Sequence, residues 1–201
     1  KWAIGGRSQA KLEAVRAAIA ADNLPLIIGD SYDEVSLDAM TKRTKVLCST
    51  VGPFSKYGGK LVEACVRNQT HYCDLTGEEL FVRQIADQHH DTAKSNGTKI
   101  VPCCGFDSIP SELGVFYTQQ EVQKRNGQIA PHIKMRVKET TGTASGGSLA
   151  TLRYMMELIK KDKSLLSILI EPYSLNPAGE MEGPDQTGIR DIVYDETIKS
   201  W

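Results

Sequence analysis

Short apolar runs alternate with helical periodicities through the first two-thirds of the chain. Trp2-Ala-Ile4 reads as a strand that stops at Gly5-Gly6-Arg7-Ser8. Ser8 can cap a helix whose apolar positions, Leu12, Val15, Ala18 and Ile19, recur three and four residues apart. Leu26-Ile-Ile28 predicts the next strand, ended by Gly29-Asp30, and Ser36–Met40 a short helix with Ser36 as its cap. Lys45–Ser49 predicts a strand broken by Val51-Gly52-Pro53-Phe54, and Tyr57–Asn68 a helix with Leu61, Val62, Cys65 and Val66 on one face. His71–Leu75 reads as a strand closed by Thr76-Gly77-Glu78. The helix from Glu79 to Asn96 then ends at Gly97 as a left-handed cap. Lys99–Cys104 predicts a strand running into Gly105-Phe106-Asp107-Ser108; Ser108 is read as the cap and Pro110 as a first-turn residue of a helix to about Asn126.

Strand–helix alternation at this spacing predicts a parallel sheet with helices on both faces, an α/β architecture. After about Gly127 the pattern changes. His132–Lys138 alternates polar and apolar residues, as an exposed strand would. A small-residue loop, Thr140–Ser148, leads into a helix from about Leu149 to Lys161. Leu165-Leu-Ser-Ile-Leu-Ile170 reads as a buried element, and Glu171–Thr187 as an irregular loop. The boundary is placed to give units 1–128 and 129–201, the second being the beginning of an α+β region. The chain opens on Lys1-Trp2-Ala3-Ile4 without an initiator Met and closes on Trp201, so it is read as a piece of a longer protein cut within structure at both ends.

Composition narrows the function classes. With 201 residues, a net charge of −1 and 40% hydrophobic residues, the chain is an ordinary globular sequence able to bury a core. Near-neutral charge argues against nucleic-acid binding by bulk electrostatics, and no apolar run reaches membrane-spanning length. The expected location is intracellular, cytoplasmic or membrane-associated. Five cysteines without a Cys-x-x-Cys pair read as buried free thiols in a reducing compartment, and the histidines are not spaced for zinc.

Parallel sheets place ligands at the carboxyl ends of their strands. The loops there contain Arg7 and Ser8, Asp30, Val51-Gly52-Pro53-Phe54, Thr76-Gly77-Glu78 and Gly105-Phe106-Asp107. Arg7 sits where a dinucleotide-binding sheet selects its cofactor: a guanidinium accommodates the 2′-phosphate of NADP, and Ser8 can add a hydroxyl. A solvated Arg at a helix start accounts for the same residue equally well. Asp74, Glu78 and Asp107 fall on one rim, as proton carriers or positioning groups, or as caps and loop acids. The loop Gly142–Gly147 can cradle an anion or serve as a flexible turn.

Three stretches, Val51-Gly-Pro-Phe-Ser-Lys-Tyr-Gly-Gly-Lys-Leu-Val-Glu-Ala-Cys65, His71-Tyr-Cys-Asp-Leu-Thr-Gly-Glu78 and Gly105-Phe-Asp-Ser-Ile-Pro-Ser-Glu-Leu-Gly114, resemble the saccharopine dehydrogenase-like oxidoreductases, a group that includes the trans-acting enoyl reductases. Ala3–Leu12 is similar to the family's second-strand segment, and Thr141–Thr151 to its passage into a second domain. The resemblance implies a Rossmann-like doubly wound parallel sheet lacking its first strand and Gly-rich pyrophosphate turn, then the truncated start of a substrate and dimerisation domain. It implies NADP as cofactor, with NAD an alternative, and a homodimer as an option. By position, Arg7 and Ser8 would meet the ribose phosphate, Asp30 would lie near the adenine, and Val51, Gly52, Pro53 and Phe54 would line the nicotinamide side. Gly105, Phe106 and Asp107 would face the substrate domain. A piece lacking the pyrophosphate turn is expected to bind cofactor poorly by itself.

The function expected from this resemblance is an NADP-dependent reductase of an activated C=C or C=N bond in a lipid-like or imine small molecule. Asp107 and Tyr57 are the candidate proton donors. The alternative is a non-catalytic cofactor-binding scaffold, acting at a lipid surface. Saccharopine chemistry is a third reading, and it would call for a basic pocket beyond Arg7.

Overall fold

A computed structural model of the chain describes residues 1–139, 141–143, 145–177, 179–180, 182–183 and 192–201. Part of the predicted loop over residues 171–187 lies outside them, as do Thr140 and Ala144 of the small-residue loop. Strand β1 (Ile4–Gly6) pairs in parallel with β2 (Leu26–Ile28), Ile4 opposite Leu26 and Gly6 opposite Ile28. The strands β3 (Val46–Ser49), β4 (His71–Asp74) and β5 (Ile100–Val101) form a second parallel sheet in that order. A cleft of about 400 Å³ separates the two sheets, with Gly5 and Gly6 on one side and Val46–Ser49 on the other. The predicted parallel architecture is therefore present, as two sheets either side of that cleft.

The helices follow the expected alternation: α1 (Gln9–Ala18), α2 (Glu34–Thr41), α3 (Phe54–Tyr57), α4 (Gly59–Arg67), α5 (Glu79–Asn96) and α6 (Ile109–Asn126). Ser8 caps α1, accepting from the Lys11 N–H, and Gly97 closes α5 with φ +77°, where glycine pays no steric penalty. The centre of the core is α4, which buries Leu61, Val62, Ala64, Cys65 and Val66 against Leu37, Phe54, Tyr72, Phe81 and Ile85. Arg67 and Asn68 at its end both donate to Asp38, locking α4 onto α2.

Local sequence misjudged several elements. Asp33, not Ser36, caps α2, accepting from the Val35 N–H; Ser36 instead accepts from the Asp30 N–H and donates to the Asp33 carbonyl. The predicted helix over 57–68 is two helices meeting at Gly58. A Cβ there would lie 2.7 Å from the Phe81 ring and 2.9 Å from the Phe54 carbonyl. Strand β5 stops at Val101 because Pro102 has no N–H to give the ladder and Cys103 adopts φ +61°. Ser108 precedes α6 without a side-chain cap bond, although Pro110 occupies the first turn as expected.

After α6 the expected strand at His132–Lys138 does not form: among the described residues no neighbouring strand is available to pair with it. Helix α7 (Gly146–Lys161) begins three residues before the predicted start, with the Ser145 hydroxyl accepting from the Ser148 N–H. The apolar run expected to be buried is a 3-10 turn (Lys163–Leu165) followed by α8 (Leu166–Ile170), and it leaves Leu166 and Ile170 exposed. Arg83 on α5 donates to the carbonyls of Ser174 and Asn176, holding the segment after α8 against that helix. Among the described residues, no helix is long and apolar enough to cross a membrane.

Candidate functional site

The turn after β4 organises the strand-end rim. Asp74, the last residue of β4, is fully buried. Its Oδ1 accepts from the Thr76 and Cys103 N–H groups, both at 3.0 Å, and its Oδ2 from the Tyr72 hydroxyl at 2.8 Å. Its carbonyl accepts from the Cys104 N–H. Burial, then the neighbouring Asp74, pushes the Tyr72 phenol well above its ordinary range, so it stays a hydrogen-bond donor. Asp74 thus fixes the turn that carries the chain from β5 to Gly105, Phe106 and Asp107.

Glu78 does the equivalent work on the other side. It is 1% exposed, and its carboxylate captures two successive backbone donors: Phe54 N–H to Oε1 at 2.7 Å and Ser55 N–H to Oε2 at 2.8 Å. The Thr151 hydroxyl on α7 donates to Oε1 at 3.2 Å. A buried carboxylate costs several kcal/mol, on the order of 3–5, when its partners are removed, so each of these donors is structural. Of the roles the sequence leaves open for Asp74 and Glu78, the structure selects backbone positioning. The Asp-x-x-x-Glu spacing after a strand was the available signal, but the donors it meets lie on other loops.

A cleft of about 390 Å³ opens at this rim, between Thr50, Gly52, Phe54 and Leu75 on one side and Ser145, Ser148, Thr151, Leu152 and Met155 of the α7 region on the other. Asp107 is exposed and lines it. Its described lining contains no Lys or Arg. Gly52 precedes Pro53 through a cis peptide, and a Cβ on Gly52 would make ordinary contacts with the Phe54 ring and the Thr151 hydroxyl. Protein packing alone therefore does not require glycine at position 52.

The remaining sequence-predicted residues divide between this cleft and others. Tyr57 does not line it; its side chain borders the inter-sheet cleft and stacks edge-on with Tyr32 at 5.7 Å. Asp107 and Tyr57 are thus candidates in different cavities. Val51 is half-exposed at the inter-sheet cleft, and Pro53 is buried beneath the rim. Phe106 is exposed beside Asp107, and Gly105 lies against Leu75, whose Cβ would come within 3.2 Å of an added methyl. Arg7, Ser8 and Asp30 lie together at the adjacent ends of β1 and β2.

The thiols depart from the expected uniform burial: Cys48 and Cys104 are exposed, Cys73 and Cys103 half-buried, and Cys65 buried. Burial pushes the Cys65 thiol up to about 12, and burial with the Cys48 thiol pushes Cys73 up to about 11, so neither has the character of a nucleophile. His89 is half-buried on α5, and that burial lowers its pKa. Among the described residues, no cluster of three or more His, Cys, Asp or Glu side chains could hold a metal ion.

The adjacent ends of β1 and β2 carry polar groups free to meet an anionic ligand, the place where a parallel sheet of this kind takes one. Arg7 is exposed at the end of β1 with no ion-pair partner among the described residues, leaving its guanidinium for an anion. Ser8 uses its oxygen as an acceptor for the helix cap, which leaves its hydroxyl proton to donate. Asp30 spends Oδ1 on the Tyr32 N–H, keeping Oδ2 as an acceptor. Gly52 itself lies on the wall of the α7 cleft.

No family model matches the chain. It is 38% identical over 186 residues to a trans-acting enoyl reductase of Mycobacterium leprae, an alignment covering 91% of this chain and 44% of that protein. A trans-acting enoyl reductase of Mycobacterium ulcerans is 37% identical over 176 residues, covering 86% of this chain and 42% of the relative. The chain therefore spans less than half the length of these curated relatives. Among solved structures, the apo saccharopine dehydrogenase (L-Glu forming) of Saccharomyces cerevisiae superposes with a TM-score of 0.50 at 17% identity, over 61% of this chain and 25% of that one. That likeness establishes the shared Rossmann-like α/β fold. Over most of its length the chain is thus similar in sequence to the trans-acting enoyl reductases, and it shares the Rossmann-like α/β fold of saccharopine dehydrogenase.

Proposed function

We propose that the protein is an NADP-dependent reductase of an activated C=C bond in a neutral, lipid-like acyl substrate. The observation that carries this reading is the strand-end cleft, whose described lining is apolar and hydroxylic, with the carboxylates of Glu78 and Asp107 and no Lys or Arg. An amino diacid, the substrate class of saccharopine chemistry, would meet carboxylates there without a compensating charge. A neutral acyl chain meets Leu75, Leu152 and Met155 at no such cost. The trans-acting enoyl reductase names of the relatives support the same bond type.

In this reading residues 1–128 bind cofactor and 129–201 begin the substrate and dimerisation unit. Arg7 and Ser8 hold the ribose phosphate, Asp30 lies towards the adenine, and Val51, Gly52, Pro53 and Phe54 border the nicotinamide. Gly105 and Phe106 complete the rim. Bound there, the nicotinamide would supply the hydride. Asp107 is the group placed to hold a proton at the substrate cleft, and its position there favours it over Tyr57.

The test is a fluorescence titration of NADPH and NADH into the wild-type protein and Arg7→Ala. A charge-assisted contact to phosphate is worth about 1.5–3 kcal/mol, so the variant should weaken NADPH by roughly 10- to 100-fold and leave NADH unchanged. Equal affinities for the two in the wild type would move the cofactor to NAD or to either. Binding of neither by the full-length protein would overturn the reductase reading.

A further inference from the structure

Glu78 joins the two walls of the strand-end cleft, and it does so unevenly. Gly52 and Phe54 form part of one wall, and Thr151 and Leu152 part of the other. On the first wall the carboxylate is gripped by two adjacent backbone N–H groups, one on each oxygen. Backbone donors have no rotamer to change, so this bidentate grip sets the plane of the carboxylate. On the second wall it is met by one side-chain hydroxyl, at 3.2 Å on the oxygen already shared with Phe54. Helix α7, which bears that hydroxyl, buries none of its own residues, and Leu149, Leu152 and Met156 on it are all exposed. A further tie towards the first wall is Lys56 of α3, whose ammonium lies 5.8 Å from the Tyr154 ring. A hydrogen bond to a buried charge is therefore a large part of what seats α7 on the rim.

We propose that Glu78 is a positioning residue: it holds the Gly52–Ser55 wall in place and, through Thr151, registers α7 against that wall, so that one carboxylate sets the width of the substrate cleft. The consequence for turnover rests on the reductase reading above; the coupling of the two walls does not. Because the first wall is held by two donors and the second by one, loss of the hydroxyl releases α7 alone, whereas loss of the carboxylate releases both.

Amide hydrogen exchange over residues 52–57 and 146–152 tests this on the purified protein, comparing Thr151→Val, Thr151→Ser and Glu78→Gln. Thr151→Val, which keeps the shape and removes the donor, should speed exchange in 146–152 about tenfold and leave 52–57 unchanged. Thr151→Ser should restore the wild-type pattern. Glu78→Gln turns an amino group towards one of three donors and should speed exchange in both segments; if it fails to fold, the two Thr151 variants still decide. With NADPH and a trans-2-enoyl thioester as probe, Thr151→Val should raise KM several-fold at constant kcat. Unchanged exchange in Thr151→Val, or no restoration by Thr151→Ser, overturns the proposal. An exchange response in a protein that reduces no enoyl thioester would leave the coupling standing and count against the reductase reading instead.

Discussion

At the scale of single residues, the buried ionisable groups are the informative ones. Asp74 and Glu78 lie four residues apart, yet one holds the chain leaving β5 and the other the chain leaving β3. Nothing in either residue's local sequence specifies those donors, which arrive from 29 and from 23 or 24 positions away. The buried thiol of Cys65 makes a different prediction. Its folded pKa of about 12 lies above the ordinary value of 9.0. Between those values the unfolded chain has lost a proton that the folded chain keeps. Stability is therefore full below pH 9 and falls as the pH rises towards 12, at about 1.4 kcal/mol per pH unit for a single group. Cys73, raised to about 11, adds to the same slope. Denaturant midpoints should drop between pH 8 and pH 10, with a smaller drop in Cys65→Ala; equal midpoints would contradict the assignment. At pH 8, Cys48 and Cys104 should be alkylated in the native protein and Cys65 only after unfolding.

At the scale of elements, periodicity located the helices and missed their joints. The apolar face of Leu61, Val62, Cys65 and Val66 is buried as its spacing requires. The break at Gly58 was not legible, because it depends on where the Phe81 ring sits on another helix. Gly58→Ala would place a methyl 2.7 Å from that ring, and the ring is fully buried with no room to retreat. The expected cost is about 1–3 kcal/mol, read as a lowered Tm. Gly59→Ala, where a Cβ meets nothing, should be neutral or slightly stabilising. The same contrast explains the strands. Lys99–Cys104 carries strand propensity throughout, but Pro102 and the left-handed Cys103 end the ladder after two residues. His132–Lys138 carries the alternation of a strand without a neighbour to complete it.

At the scale of the whole molecule, polar ties hold the region after α6 to the sheet-and-helix layers before it. Arg83 is one of them: it pairs with Asp87 one turn along α5 and donates to the Ser174 and Asn176 carbonyls. Its side chain is largely buried, which makes these bonds worth more than a surface pair. Arg83→Ala should cost about 1–3 kcal/mol and expose the segment around Ser174 to limited proteolysis while the first unit stays resistant. Cleavage at the wild-type rate would show that the segment is held by other contacts. Helix α6 completes the picture at this scale: its apolar residues Leu113, Phe116 and Tyr117 are all exposed, although its length is the one its sequence predicts.

What the sequence determined by itself is local and periodic. The alternation of strands and helices, the caps at Ser8 and Gly97, the buried face of α4 and the placement of Gly, Asp and Pro at strand ends all follow from spacing and backbone preference. Family motifs added the nicotinamide-type architecture. Tertiary structure decided which of the rim acids are supports and which stays exposed. Asp74 and Glu78 are supports because unpaired backbone N–H groups from other loops come within 3.0 Å of them and water does not. Asp107 is exposed at the cleft, and among the described residues no backbone donor reaches it. A carboxylate's role is set by what surrounds it in three dimensions, since solvation and hydrogen bonding outweigh residue type, and neither can be read along a chain.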